Sequence, residues 1–183
     1  MNDKLPILYS FRRCPYAMRA RLALAYAQAH PERVSGLVLR ATFLGTAEEL
    51  EDVFLRALPR FYPGLYEDFL NFLPADERAS PLAAYYRRIL SPDAAVHVPA
   101  ARAWHDTERT LSEHTPKQTR LDPANTTGAL PSTPFMEAHY FANNCFMRPH
   151  QLMEDAGKLA GIPGIIVQGR YDLLCPPATS HAL

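Results

Sequence analysis

Cys14 is the first residue whose type and position could carry chemistry. It lies in the segment "SFRRCPYAMRA", between an apolar run and a pattern with helical spacing. Amide groups at the start of a helix would favour the thiolate, and so would the neighbouring Arg12 and Arg13. Because the thiolate is the nucleophilic form of cysteine, the local pattern makes Cys14 a candidate reactive thiol.

Asp172 is the second candidate, and it follows the short apolar run in "IPGIIVQGRYD". An acid just past the carboxyl end of a strand lies where α/β sheets place their active sites. The same residue type also forms turns and caps helices. The spacing alone leaves a catalytic and a structural role open for Asp172.

Three further side chains gain a possible role only from their order along the chain. Glu108 in "AWHDTE" and Glu137 in "EAHYF" lie in segments with helical spacing, where an isolated glutamate is normally a solvated side chain. Phe43 follows the apolar run "SGLVLR" and would ordinarily belong to the core. None of the three indicates a function by itself.

The elements that must position these residues begin with a strand–helix–strand unit. Residues 5–11 form an apolar run that predicts a buried strand, and apolar residues then recur with helical spacing up to His30. The residue before Pro31 disfavours helical geometry, so we expect the helix to end there. Residues 35–40 predict a second strand, and the short connection favours a parallel pair.

The middle of the chain has an interrupted helical pattern. Thr46 and Glu49 have the spacing of a capping box, which predicts a helix start. Amphipathic segments include "SPLAAYYRRIL", "PAARAWHDTERTL" and "TPFMEAHYFANNCFM", and "HQLMEDAGKLAG" predicts one more helix that ends at Gly161. Residues 117–134 are polar and rich in proline, which indicates an exposed loop. A last strand is predicted at residues 165–168.

Composition excludes several classes of protein. The chain has 183 residues, 48% of them hydrophobic, and its formal net charge is zero, so no basic surface marks a nucleic-acid partner. The apolar runs are too short to span a membrane, and the first residues lack the pattern of a signal peptide. The three cysteines fit no zinc pattern. We therefore expect a cytoplasmic protein with reduced thiols, no metal and no cofactor.

Four segments resemble the proline iminopeptidases, or prolyl aminopeptidases, in the order of that family: "LALAYAQAHPERVSGLVLR", "FLGTAEELE", "AHYF" and "IPGIIVQGRYDLLCPP". The resemblance covers about residues 22–183. It implies an α/β-hydrolase fold with a helical cap, and hydrolysis of an N-terminal proline by a serine–aspartate–histidine triad. The implied partner is a peptide that begins with proline.

The resemblance also implies roles for individual residues. Asp172 in "GRYD" matches the aspartate of the triad, which orients the histidine. Glu108 and Glu137 match two cap glutamates that bind the amino group of the substrate. Phe43 lies where the family has a phenylalanine near the proline ring. Cys175 matches a family cysteine close to the site, whereas Thr107 stands where the family has a second tryptophan.

The catalytic centre implied by the resemblance is incomplete in this chain. The serine of the family's Gly-x-Ser-x-Gly elbow falls at Ala17, which has no nucleophilic atom. The glycine-rich oxyanion segment and the loop with the catalytic histidine have no counterpart in the sequence, and His181 is too near Asp172 along the chain to match that histidine. We expect a hydrolase-like chain with little activity of its own.

A second resemblance covers about residues 5–24. "LPILYSFRRCPYAMRARLAL" is similar to the first strand and helix of glutathione S-transferase-like proteins, which would make residues 1–21 foreign to the hydrolase pattern. It implies thiol chemistry at Cys14, and the alternative function is a glutathione-dependent thiol transferase. A third possibility is a non-catalytic chain that associates with a partner.

The sequence as a whole predicts an α/β protein: a partial α/β-hydrolase parallel sheet with a helical cap insertion. Residues 1–45 and 151–183 are assigned to the α/β core, and residues 46–150 to the cap. A partial sheet leaves unpaired strand edges, which invite pairing with another chain. Self-association through exposed edges is therefore an expected interaction, besides the binding of a proline-initiated peptide.

Overall fold

The computed structural model of the chain describes residues 7–10, 17–122 and 129–183. The chain forms two compact units. The first comprises Met1–Glu49 with Met147–Leu183 and is called the sheet unit; the second comprises Leu50–Phe146 and is called the helical unit. The predicted roles of these parts as a core and its cap stay predictions.

Three parallel strands, in the order β1-β2-β3, lie in the described part of the sheet unit. They span Ile7–Ser10, Gly36–Arg40 and Gly164–Val167. Leu8 is paired with Leu37, and Val38 with Ile165. The prediction of a parallel strand pair is confirmed. Because all three strands run the same way, their carboxyl ends meet at one edge of the sheet, and the loops that follow them share that edge.

Helix α1, Ala17–Ala29, connects β1 to β2. Alternate residues of a strand point to the same face, so Leu37 and Leu39 both face one side of the sheet. Leu39 packs in a buried cluster with Leu24, and Leu37 in a second cluster with Ala27. The helix ends just before Pro31, as predicted.

The capping box is formed as the spacing predicts. The amide of Glu49 donates to Thr46 Oγ1 at 3.2 Å, and the amide of Thr46 donates to Glu49 Oε2 at 3.1 Å. These bonds satisfy amide groups that a helix start leaves without partners. Helix α2, Ala47–Glu51, begins at this box and continues into a π-helical stretch, Asp52–Ala57.

The described part of the helical unit, residues 50–122 and 129–146, contains five α-helices after that stretch. They are α3 Leu58–Phe61, α4 Pro63–Asn71, α5 Pro81–Ile89, α6 Ala94–Ser112 and α7 Thr133–Ala142. Trp104 on α6 is 1% exposed and is the centre of an aromatic core. Its ring lies 4.4 Å from that of Phe54 and 5.8 Å from that of Tyr85, between ring centroids. The burial of these rings holds α6 against the neighbouring helices.

The chain returns to the sheet unit through a segment that differs from its prediction. The expected continuous helix in "HQLMEDAGKLAG" is wrong: α8 covers only Gln151–Glu154, and a 3₁₀ turn, Ala156–Leu159, follows. The segment ends at Gly161, whose φ of +88° is readily adopted only by glycine. After β3, helix α9 spans Pro177–Ala182.

None of the described helices combines the length with the apolar composition that a bilayer crossing demands. Over the same residues, no group of three or more histidine, cysteine or acidic side chains is arranged to hold a metal ion.

Candidate functional site

Asp172 lies in the loop that follows β3, at the carboxyl edge of the sheet. Its Oδ1 accepts hydrogen bonds from the amides of Leu174, at 3.1 Å, and Cys175, at 2.9 Å. These bonds form a turn, which is the structural role that the sequence left open for Asp172. They also fix the carboxylate on this edge, so the turn does not conflict with a further role for Asp172.

Gln168, which was not among the predicted site residues, secures the same loop. Its Nε2 donates to the carbonyl oxygen of Cys175 at 2.6 Å, and its Oε1 accepts from Ser180 Oγ at 2.6 Å. One amide side chain therefore ties the end of β3 both to the Asp172 turn and to α9. The sequence signal that could have identified Gln168 is its position: it ends the predicted strand and precedes Asp172 by four residues.

The other predicted residues of the sheet unit are placed differently. Cys175 is fully buried within the turn that Asp172 caps. His181 is exposed on α9, and no ion pair joins it to Asp172 among the described side chains. Cys14 lies outside the described residues, so its predicted role as a reactive thiol stays a prediction. Ala17 is the first residue of α1.

Phe43 follows the carboxyl end of β2, next to the strand that leads to Asp172. The turn into its loop is made by Ala41, a non-glycine residue with a φ of 49°. The ring of Phe43 is buried, and the Arg21 guanidinium carbon lies over it, 5.4 Å from the centroid. Phe43 and Asp172 are thus on loops at the same edge of the sheet, as parallel strand ends dictate.

In the helical unit, a hydrogen bond fixes Glu137. Trp104 Nε1 donates to Glu137 Oε2 at 2.9 Å, which connects α6 to α7. Glu108 lies on α6 one helical turn after Trp104, so it occupies the same face as the residue that binds Glu137. The hydrogen bond places the Trp104 face of α6 against Glu137, and a joint role of Glu108 and Glu137 stays a prediction.

Tyr86 lies beside this hydrogen bond. Its ring is 5.6 Å from that of Trp104 and 6.0 Å from that of Phe141, between centroids. Burial raises the pKa of the Tyr86 phenol, and the nearby Glu137 carboxylate raises it further. The phenol therefore stays neutral over the physiological range.

Thr107 stands where the resemblance implies a tryptophan. The residue is fully buried, and its Oγ1 donates to the carbonyl oxygen of Ala103 at 2.8 Å. The hydroxyl is thus satisfied within α6. At this position the chain has a small side chain that makes a local hydrogen bond, so Thr107 adds no aromatic ring next to Glu108.

The chemistry available to the two units is distinct. The helical unit offers the Glu137 carboxylate beside the rings of Trp104 and Tyr86, a combination that suits a cationic amine. The sheet unit offers the Asp172 carboxylate and the Phe43 ring at the edge where α/β proteins bind ligands.

Comparison with known proteins gives a consistent result. No protein-family model matches the chain. A probable proline iminopeptidase of Leptolyngbya boryana is 36% identical over 163 residues, which cover 88% of this chain and 51% of that protein. The proline iminopeptidase of Xylella fastidiosa is 37% identical over 156 residues, or 85% of this chain and 50% of that protein.

A plant relative extends the comparison. The proline iminopeptidase of Arabidopsis thaliana is 36% identical over 157 residues, which cover 85% of this chain and 41% of that protein. The chain thus spans about half the length of the curated relatives it matches, or less. The resemblance to glutathione S-transferase-like proteins gains no support from these relatives, and the thiol-transferase alternative is not retained.

Proposed function

Because this chain is homologous to the proline iminopeptidases over most of its length, we propose that its helical unit binds the free amino terminus of a peptide that begins with proline. The observation that supports the proposal is the hydrogen bond from Trp104 Nε1 to Glu137 Oε2, at 2.9 Å. It orients one carboxylate on the helix face that also carries Glu108.

The physical argument is one of charge and shape. The amino terminus of a proline peptide is a secondary ammonium with two N–H groups, and two carboxylates can accept one hydrogen bond each. Hydrogen bonds between ionised groups are shorter and stronger than neutral ones. The half-buried ring of Tyr86, packed against Trp104, adds attraction for a cation and apolar contact for a ring. Glu108 and Glu137 are therefore proposed as the amine-binding residues.

The proposal extends to the sheet unit with a restriction. Its parallel strands and the acid after β3 support assignment to part of an α/β-hydrolase sheet, with Asp172 proposed as the triad aspartate and Phe43 as an apolar contact of this unit. The serine that such a triad needs is replaced by Ala17. We therefore propose that the chain binds a peptide that begins with proline but does not hydrolyse it, because Ala17 supplies no nucleophile.

The direct test uses the only tryptophan of the chain, Trp104, as a fluorescent reporter inside the proposed site. Titration with L-prolinamide should change its emission in a saturable way, whereas N-acetyl-L-prolinamide, which has no charge, should not. Glu137→Gln and Glu108→Gln should each weaken binding about tenfold or more, because a hydrogen bond to a charged group contributes roughly 1.5–3 kcal/mol.

A matched control is Glu113→Gln, in the same unit, where Glu113 pairs with Arg109 at 3.8 Å. This variant should bind L-prolinamide as the parent chain does. Equal affinities for the acetylated and free amides, or no loss in Glu137→Gln, would contradict the proposed amine site. Release of chromophore from proline p-nitroanilide should not exceed that in buffer, and turnover would contradict the restriction at Ala17.

Two further expectations stay proposals. The cytoplasmic location rests on the sequence alone. Self-association rests on β3, which among the described strands pairs only with β2 and presents exposed apolar side chains, with Ile165 64% exposed. An unpaired, uncharged strand edge favours pairing with a second chain.

A further inference from the structure

Arg21 carries a buried charge without a countercharge among the described side chains. The residue is 6% exposed, and its Nη1 is buried with no hydrogen-bond acceptor in the described part of the chain. Among residues 21–122 and 129–183, no side chain forms an ion pair with its guanidinium, which lies over the ring of Phe43. Buried charges in proteins are normally paired, because removing an ion from water is costly.

The buried carboxylate of the sheet unit is not the missing partner. Glu49 accepts hydrogen bonds from the amides of Leu44 and Thr46 and from Thr179 Oγ1, at 3.0 to 3.1 Å. Its oxygens are thus engaged by neutral donors, and it forms no ion pair with Arg21. Glu49 and Arg21 therefore lie in separate surroundings within the sheet unit. Among the described residues, hydrogen bonds satisfy the carboxylate of Glu49 but not Nη1 of Arg21.

The guanidinium lies where the backbone also attracts anions. Arg21 is one turn from the start of α1, and helix side chains lean towards the amino end. Phe43, which it covers, follows the carboxyl end of β2, and α1 begins at that edge of the sheet. The amino end of a helix carries a partial positive charge. The guanidinium and the start of α1 thus add their positive potential at one place.

We propose that Arg21, with the Phe43 ring behind it, binds a carboxylate group of a ligand at the carboxyl edge of the sheet. The Phe43 ring lies next to the guanidinium, 5.4 Å from its carbon atom to the ring centroid, and the N–H groups of a guanidinium lie in one plane. Two parallel N–H groups match the two oxygens of a carboxylate, so a planar carboxylate suits this site better than a spherical anion. This carboxylate site is independent of the amine site in the helical unit.

The test measures thermal stability as sodium acetate replaces sodium chloride at constant ionic strength. The melting temperature of the chain should rise in a saturable way, because a ligand that binds only the folded state stabilises it. Arg21→Met, which keeps the length and removes the charge, should lose this rise. The control Arg33→Met removes an exposed arginine that lies 3.5 Å from Glu32, and it should keep the rise.

The outcomes separate this site from general salt effects and from the amine site. Acetate has no amino group, so its binding does not depend on Glu108 or Glu137. An equal rise in Arg21→Met and the parent chain, or no rise in the parent chain, would overturn the proposal. A saturable rise with phosphate but none with acetate would overturn the choice of a carboxylate.

A second variant covers the case in which Arg21→Met fails to fold. Arg21→Lys keeps the charge but loses the planar pair of N–H groups, so it should respond to acetate at higher concentrations than the parent chain. In the parent chain, the NMR signal of the Arg21 Nε–H group should shift with acetate along the same saturation curve. An unchanged signal would overturn the assignment to Arg21.

Discussion

The indole of Trp104 and the carboxylate of Glu137 form a hydrogen bond of 2.9 Å between α6 and α7. The rest of the indole packs against aromatic rings, so its one polar group is satisfied by a charged acceptor. The same contact thus contributes to the core of the helical unit and fixes a carboxylate of the proposed amine site. Stability and ligand binding are expected to depend on it together.

Trp104→Phe should lower the free energy of unfolding by about 2 kcal/mol, because it removes part of a buried ring and a hydrogen bond to a charged group. Urea denaturation followed by circular dichroism measures the loss. The double variant with Glu137→Gln tests the pair itself: the coupling free energy should be roughly 1 kcal/mol. A coupling of zero within error would show that the hydrogen bond adds nothing to stability.

Alkaline pH should destabilise the helical unit through its adjacent tyrosines. Burial is the main cause that raises the pKa of both Tyr85 and Tyr86 above the ordinary value of 10.0. Below that pH, both folded and unfolded chains keep the phenol protons. Above it, the unfolded chain releases them while the folded chain does not, so stability falls as the pH rises, by roughly 1 kcal/mol per pH unit for each tyrosine.

Two single variants separate the contributions of Tyr85 and Tyr86 to this loss of stability at alkaline pH. The Tyr85 hydroxyl donates to the carbonyl oxygen of Phe69 at 2.9 Å, whereas the Tyr86 hydroxyl is buried without a hydrogen-bond partner in the described part of the chain. Tyr85→Phe should cost about 1 kcal/mol at pH 7, and Tyr86→Phe nothing. Each should flatten the decline between pH 9 and pH 11. Identical slopes in the parent chain and both variants would contradict this account.

Gln168→Leu should loosen the turn that carries Asp172. The carbonyl oxygen of Cys175 and the hydroxyl of Ser180 each lose a partner, which costs about 1–3 kcal/mol in total. The fully buried Cys175 should then react faster with a thiol reagent, as mass spectrometry can follow at that residue. Gln118→Leu is a control, because its amide donates to Arg120 in an exposed loop. Equal labelling of Cys175 in both variants would contradict the role of Gln168.

Features set by short-range patterns were predictable from the sequence. The capping box of Thr46 and Glu49 depends on residues three positions apart, and the end of α1 depends on Pro31. The parallel pairing of β1 and β2 follows from a helix between two apolar runs. In each case the residues that decide the structure are close together along the chain. The sequence pattern therefore contains the deciding interaction, and the structure confirms the prediction.

Features set by distant contacts were not predictable in this way. The hydrogen bonds of Gln168 depend on how the segment after β3 folds. The guanidinium of Arg21, on α1, lies over the ring of Phe43, which belongs to the loop after β2. The helix expected at residues 150–161 is interrupted, although its apolar spacing is helical. Glu108 and Glu137 were chosen through a family resemblance, since a glutamate on a helix is otherwise an ordinary surface residue.

The exposed edge of β3 gives the last prediction, which concerns association of the chain with itself. Ile165 and Val167 are exposed on a strand that carries no charged side chain, and such an edge can pair with an identical strand. Sedimentation velocity should show reversible association at micromolar concentration. Ile165→Lys should abolish it, because a charge on the edge resists pairing. Leu22→Lys, which changes an exposed leucine of α1, should leave it intact. A monomeric parent chain, or equal association in both variants, would exclude β3 as the contact.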